Sequence, residues 1–441
     1  MPPLACPPQT PVIIGAGFAQ DHADDPARSP EAFELMVAAV RAAATDAGVD
    51  GSVLEQIESI AIPQGLWQYR NPGRLVAAAL GCPQAQTIVS DLGVLQLTPF
   101  DELCRAIARG ERNLGVVVGG EAKYRDLRSR ITGTPAPETQ QGDDVPAPDV
   151  RLSSSDPFAS DLESERGLQS PIALFAIIES ALRHASGRTV AEHRDAVAEL
   201  YAELSRVAAA NPHAWSRTPV AAATIRDAGD GNAMQAFPYT KLHCSQWNVN
   251  RAAAVLVCSV ELAERAGIPS DRWVFPLAAA ESHHVVVLAQ QRRLASHPGT
   301  IVAGRRAMQL AGITPDAIDA AELYSCFPAA LQSFARDLEI PPGRPLSVTG
   351  GMPFAGGPFN HFAIEGVARM TEVLRDRARS STRAVGIVAN LSGIFGKQAC
   401  TLLSTAANEN GYRYGDLGPS GAQRGVAEGR SAACGHHPRP A

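Results

Sequence analysis

Apolar positions along this chain switch between two periods. PVIIGAGF (11–18) is a Val/Ile-rich run closed by glycines, which predicts a strand buried on both faces. Phe33, Met36, Val37, Val40, Ala44 and Ala47 then recur at helical spacing on one face. Ser29 is placed to cap that helix, Pro30 to sit in its first turn, and Gly48 to end it. The alternation continues with strand 59–64, helix 71–81, strand 86–92, helix 96–109 and strand 114–120. Strands alternating with helices predict an α/β architecture with a mostly parallel sheet.

From 122 to about 170 Pro, Asp, Ser, Thr and Gln take over, so this stretch reads as an excursion or lid. Helical periodicity returns between 171 and 210. Two strand-like runs follow at 252–259 and 273–281, and both are expected to complete the first sheet. A second half then repeats the first: RAAATDAGVDGSVLEQIESI (41–60) lies over RRAMQLAGITPDAIDAAELY (305–324) without a gap, so that Gly48 matches Gly312 and Glu58 matches Glu322. Helix 327–338, the loop TGGMPFAGGPFNH (349–361), helix 361–375 and strands 384–390 and 397–405 complete it. The predicted division is a first lobe at 11–121 plus 245–285, an inserted loop or lid domain at 122–244, a second lobe at 286–406, and a disordered tail at 407–441.

Composition narrows the partners. A formal charge of -6 with no basic cluster argues against nucleic acid or an anionic membrane surface. The eight cysteines form no CxxC pair, which points to reduced thiols. The N-terminus lacks a leader pattern, and no apolar run reaches the roughly 18 residues of a membrane span. A cytoplasmic protein is expected. No metal set is read; Cys434, His436 and His437 belong to the tail, and the three lysines, Lys123, Lys241 and Lys397, read as surface residues.

Several motifs stand in a suggestive order: LGVVVGGE (114–121), NPHA (211–214), NVNRAAAVLV (248–257), ELYSCF (322–327), TGGMPFAGGP (349–358) and NLSGIFGKQA (390–399). Together they resemble the thiolase superfamily, in particular the sterol-carrier-protein-x type. The resemblance implies a thiolase-like fold of two duplicated lobes in five αβαβα layers, and a homodimer or a hetero-complex with another acyl-CoA-handling chain. It also implies an acyltransferase activity on a coenzyme A thioester in lipid metabolism, with no further cofactor.

Carried over residue by residue, the usual catalytic set departs from the family pattern. The nucleophile position falls at Gly93, the histidine of the family's GHP triplet at Gly357 within Gly356-Gly357-Pro358, and the second cysteine's turn at Leu391-Ser392-Gly393. Gly93, Gly356, Gly357, Pro358, Ser392 and Gly393 are therefore expected to line the substrate site. Tyr324 stands where the family's oxyanion-hole residue does, and His361, at the head of the following helix, is the nearest imidazole. Both are candidate acid–base groups. Three readings stay open: an acyl-CoA aldolase using Tyr324, a non-catalytic binder of CoA esters or lipids, and a thiolase using a displaced thiol among Cys104, Cys244, Cys326 and Cys400. Cys244 is the best placed of these thiols, beside His243 and near Lys241.

Overall fold

The computed structural model describes residues 6–380 and 383–418. The first half runs β1 (Pro11–Gln20), α1 (Ala32–Ala47), α2 (Gly51–Leu54), β2 (Ser59–Pro63), α3 (Pro72–Leu80), β3 (Gln86–Ser90), α4 (Thr98–Ala108) and β4 (Leu114–Ala122). The insertion holds α5 (Lys123–Thr132), β5 (Val150–Leu152), α6 (Asp161–Glu165), α7 (Pro171–Ala185), α8 (Val190–Ala210), α9 (Ala222–Arg226), and a hairpin of β6 (Met234–Ala236) and β7 (Tyr239–Thr240). Then come β8 (Asn250–Ser259), α10 (Val260–Arg265), β9 (Phe275–Ser282), α11 (Pro298–Ala311), β10 (Ala320–Glu322), α12 (Pro328–Asp337), α13 (Phe362–Ala378), β11 (Val385–Ser392), β12 (Lys397–Ser404) and β13 (Arg413–Leu417).

Strand order proves the duplication. The first sheet is ordered β1-β8-β4-β2-β3-β5, and the second, read from its far end, β13-β9-β12-β11-β10. The runs β1-β8-β4-β2 and β9-β12-β11-β10 correspond: in each the first pair is antiparallel, the second pair antiparallel and the third parallel, while β13 adds a parallel strand beyond β9. Gly48 and Gly312, matched in sequence, both end their helices in the left-handed region, at φ 73° and 65°.

Period-two alternation divides each sheet between two cores. Val12, Ile14, Val116, Val118, Ala254 and Leu256 face outward with α1 and α3, while Ile13, Val117, Val255 and Val257 face inward. On that inner side Phe100 and Ile107 of α4 and Ile364 and Val367 of α13 meet Ala279, Val388 and Leu403 of the second sheet. Two helices thus lie between two sheets, with α11 packed on the second sheet's outer side, which is the five-layer α/β architecture expected.

Four expectations are corrected. The 273–281 strand does not complete the first sheet: β9 pairs with β12 and β13 in the second, so the proposed lobe of 11–121 plus 245–285 breaks after α10. The tail does not begin at 407, because Arg413–Leu417 runs parallel to β9. Residues from 419 on, with Cys434, His436 and His437, lie outside the described residues. The excursion after 122 is a pinned strap: Thr139 N–H donates to Glu31 at 2.7 Å, Asn71 N–H to Gln141 at 2.8 Å, Thr87 N–H to Asp149 at 2.7 Å, and β5 pairs with β3. The cap of α1 is Glu31 in a reciprocal box with Glu34, since the Ser29 hydroxyl is committed to Asp21. Among the described residues, no helix is long and apolar enough to cross a membrane.

Candidate functional site

The loop at 349–361 is held from every side by the other motifs. Glu322 accepts from the backbone N–H groups of Val348 (2.9 Å) and Thr349 (2.8 Å) and from the Ser347 hydroxyl (2.9 Å). Ser325 accepts from Met352 N–H at 3.0 Å, and Asn211 donates to the Thr349 carbonyl at 2.9 Å. Trp215 N–H donates to Ala355, while Gln246 trades backbone bonds with Met352 and Gly357. ELYSCF, NPHA and the segment before NVNR therefore converge on this one loop. Its turns need glycine, since Gly350 and Gly356 hold φ near 100°.

At Gly357 the structure explains the missing side chain. A Cβ built there would run into Ser245 Oγ, so the volume that a histidine would need is filled by the segment after Cys244. Gly356, Gly357 and Pro358 are buried and hold up the loop. The next residue, Phe359, reaches the cavity, and its φ of 33° is a strained value for a non-glycine residue.

That cavity is a cleft of about 410 Å³ lined by Leu92, Gly93, Phe158, Phe359, Ile394 and Lys397, with Val285–Val287, Ser392, Gly393 and Gly396 completing its wall. Ser392 Oγ donates to the Gly93 carbonyl at 3.0 Å, although 299 residues separate them. The expected site residues Gly93, Ser392 and Gly393 are thus brought together. Lys397, read from sequence as a surface residue, is 5% exposed. Its ammonium reaches the Gly93 carbonyl at 3.0 Å and Asp156 at 2.6 Å.

Tyr324 does not line the cleft: Gln96 stands between it and Phe359. Gln96 Nε2 donates to the Tyr324 oxygen at 2.8 Å and to the Phe359 carbonyl at 3.4 Å, and Gln96 Oε1 accepts from Ala363 N–H at 2.9 Å. Burial pushes the Tyr324 hydroxyl well above its usual range, which disfavours the phenolate. Gln96 escaped the sequence reading; a glutamine within the apolar run before α4 was its only signal. His361 does not line the cleft. It is 2% exposed, wedged against Gly119, with Nε2 3.6 Å from Glu365 Oε1, and burial lowers its pKa.

No displaced thiol is activated. Burial pushes Cys244 and Cys400 up to about 12 and raises Cys326 and Cys104 as well. His243 gives Cys244 no help, because Nδ1 is hydrogen-bonded to Thr240 and burial lowers the ring to about 4. Iodoacetamide at neutral pH is therefore expected to leave these four thiols unmodified in the native protein and to label them after denaturation. Stoichiometric native labelling of any one, read by peptide mass spectrometry, would overturn this.

No protein-family model matches the sequence. A curated relative, an acetyl-CoA acetyltransferase of Methanothermobacter thermautotrophicus, is 25% identical over 193 residues, covering 39% of this chain and 49% of that protein. The match thus spans about half the relative's length. Among solved structures, a monomeric SCP2-thiolase like protein type 1 from Mycobacterium smegmatis superposes with a TM-score of 0.74 at 27% identity, over 91% of this chain and 79% of that one. An Ltp2-ChsH2(DUF35) aldolase (TM-score 0.64, 18% identity, 89% and 98% coverage) and the dimeric peroxisomal thiolase of Saccharomyces cerevisiae (0.62, 15%, 90% and 98%) share the fold. With the duplicated strand order and the converging motifs, these likenesses place the chain in the thiolase superfamily.

Proposed function

We propose that the cleft binds a coenzyme A thioester and that the protein handles it without forming an acyl–cysteine. The Ser392–Gly93 hydrogen bond carries this reading. It sets Gly93, the position that the resemblance assigns to the nucleophilic cysteine, against Ser392 in the middle of the turn that stands for the second cysteine's, where Leu391 holds the cysteine position, and neither position supplies a thiol. A cleft of this volume and apolar lining suits an acyl chain with the end of its thioester arm. Loss of a nucleophile can cost about a million-fold in turnover, so ordinary thiolysis is not the proposed activity. Gly396 faces Val285 across the cleft wall, and Gly396→Phe would fill the space. Calorimetry with butyryl-CoA should show one site in the wild type, weakened more than about tenfold in Gly396→Phe. A folded wild type that gives no binding would contradict the reading.

A second reading is an aldolase in which the Tyr324 hydroxyl donates to the oxygen of a developing enolate; Tyr324 does not line the cleft, so this reading requires the substrate to reach behind Phe359. Gln96 holds the phenol oxygen as an acceptor and leaves its proton free to donate. Retro-aldol activity that survived Tyr324→Phe would remove it.

The homodimer implied by the resemblance is replaced in this proposal by a monomer. β5 lies on β3 and covers that edge of the first sheet with three residues, leaving a new edge too short to pair firmly with another chain. The mycobacterial neighbour is itself named monomeric. Light scattering after gel filtration should give a single-chain mass; a stable dimer at micromolar concentration would contradict this. The aldolase neighbour is named with ChsH2, so a hetero-partner stays within the proposal. The role in lipid metabolism rests on the resemblance alone. The seven described cysteines are unpaired, which fits a cytoplasmic location.

A further inference from the structure

A buried ammonium needs an anion, and Lys397 has one on loan. Its Nζ sits in a cleft whose other walls are largely apolar, at 5% exposure, with three partners: the neutral Gly93 carbonyl, the neutral Ser154 hydroxyl and the Asp156 carboxylate at 2.6 Å. Only Asp156 balances its charge. Asp156 is 45% exposed and belongs to the segment 153–160, which has no helix or strand. Besides Lys397, its side chain accepts from the Ser154 hydroxyl, two residues away, at 2.9 Å.

Pro157 and Phe158 of the same segment line the cleft. The carboxylate, the two apolar residues and the ammonium therefore move apart together if the segment lifts. His283 is itself paired with the Glu281 carboxylate at 3.0 Å, so withdrawal of Asp156 leaves Lys397 as the uncompensated cation.

We propose that Asp156 occupies the place of a ligand carboxylate, and that the cleft selects thioesters of short dicarboxylic acids, which displace Asp156 and pair with Lys397. This rests on the acyl-thioester reading above and names the acyl class. Gly93 lies against the ammonium, so the carboxylate would sit near the thioester end of a short chain.

Butyryl-CoA and succinyl-CoA make a matched pair, alike in chain length and different in the terminal carboxylate. Calorimetric titration of both against the wild type, Asp156→Ala and Lys397→Met is the test. Wild type should favour succinyl-CoA. Asp156→Ala should widen that preference by about tenfold or more, because a desolvated charge-assisted pair forms without an internal competitor. Lys397→Met should bind both alike, and its retained butyryl-CoA binding shows that it is folded. Equal binding of the two thioesters by Asp156→Ala overturns the inference and leaves the thioester reading standing; that variant changes a half-exposed side chain and does not depend on Lys397→Met folding. Binding of neither thioester by the wild type overturns both.

Discussion

Replacing Arg251 with Met is expected to cost about 3–5 kcal/mol of stability, enough to lower the unfolding midpoint sharply. Arg251 comes from β8 of the first sheet and Glu365 from the central helix α13, and the two meet at 2.8 Å with side-chain exposures of 3% and 0%. The same guanidinium donates to the Ala355 carbonyl, so it ties the glycine loop to the first sheet. Losing it leaves the Glu365 carboxylate buried with the His361 imidazole, which burial disfavours as a cation, 3.6 Å away. The loss should therefore come mainly from the stranded charge and only in part from the missing bonds. Replacing both partners, Arg251→Met with Glu365→Leu, should recover much of the stability, since an apolar pair strands nothing. A denaturant midpoint unchanged in Arg251→Met, or a double variant no better than the single, would contradict this.

The second large effect is expected at Glu322. Glu322→Ala removes the acceptor of two backbone N–H groups and one hydroxyl; the Ser347 hydroxyl can turn to Thr349 Oγ1 at 3.1 Å, and the N–H groups of Val348 and Thr349 are left unpaired. At roughly 1–3 kcal/mol each, the cost is about 2 kcal/mol or more. Burial pushes the carboxyl up to about 7 while the three donors pull it down, so this acceptor is retained against a desolvation cost. Ligand binding should weaken together with stability, because the loop that Glu322 anchors carries Phe359 into the cleft. Glu322→Gln keeps a carbonyl oxygen and should fall between the two. An alanine variant with wild-type melting and wild-type butyryl-CoA binding would show that the loop is held by something else.

The duplication was legible because its markers are local. A helix face and a glycine at the left-handed cap recur in register, and each depends only on its own neighbours; the Glu58–Glu322 match does not hold in the fold, since Glu58 precedes β2 and Glu322 ends β10. Sheet membership was not legible for β9, since a strand buried on both faces has no polar side to say which sheet it joins. Arg413–Leu417 was missed because RYGDL has no apolar alternation; it is held to β9 through its backbone. At the site, Gly93 and the 391–393 turn could be paired from motif order, and the fold brings them together. The fold also decides what motif order cannot: that Ser245 fills the space beside Gly357, that Gln96 links Tyr324 to Phe359, and that Lys397 points inward. Three lysines in a sequence look alike until one of them is found beside a carbonyl at the bottom of a cleft.

The central claim is that this thiolase fold binds an acyl thioester without taking its acyl group onto a cysteine. Mixing the purified protein with acetoacetyl-CoA and free coenzyme A, then measuring both the ligand recovered and the intact protein mass, tests it directly. The account predicts that acetoacetyl-CoA is bound, is recovered unchanged and leaves the protein mass unaltered. Release of acetyl-CoA, with an acetyl group found on any cysteine, would contradict it.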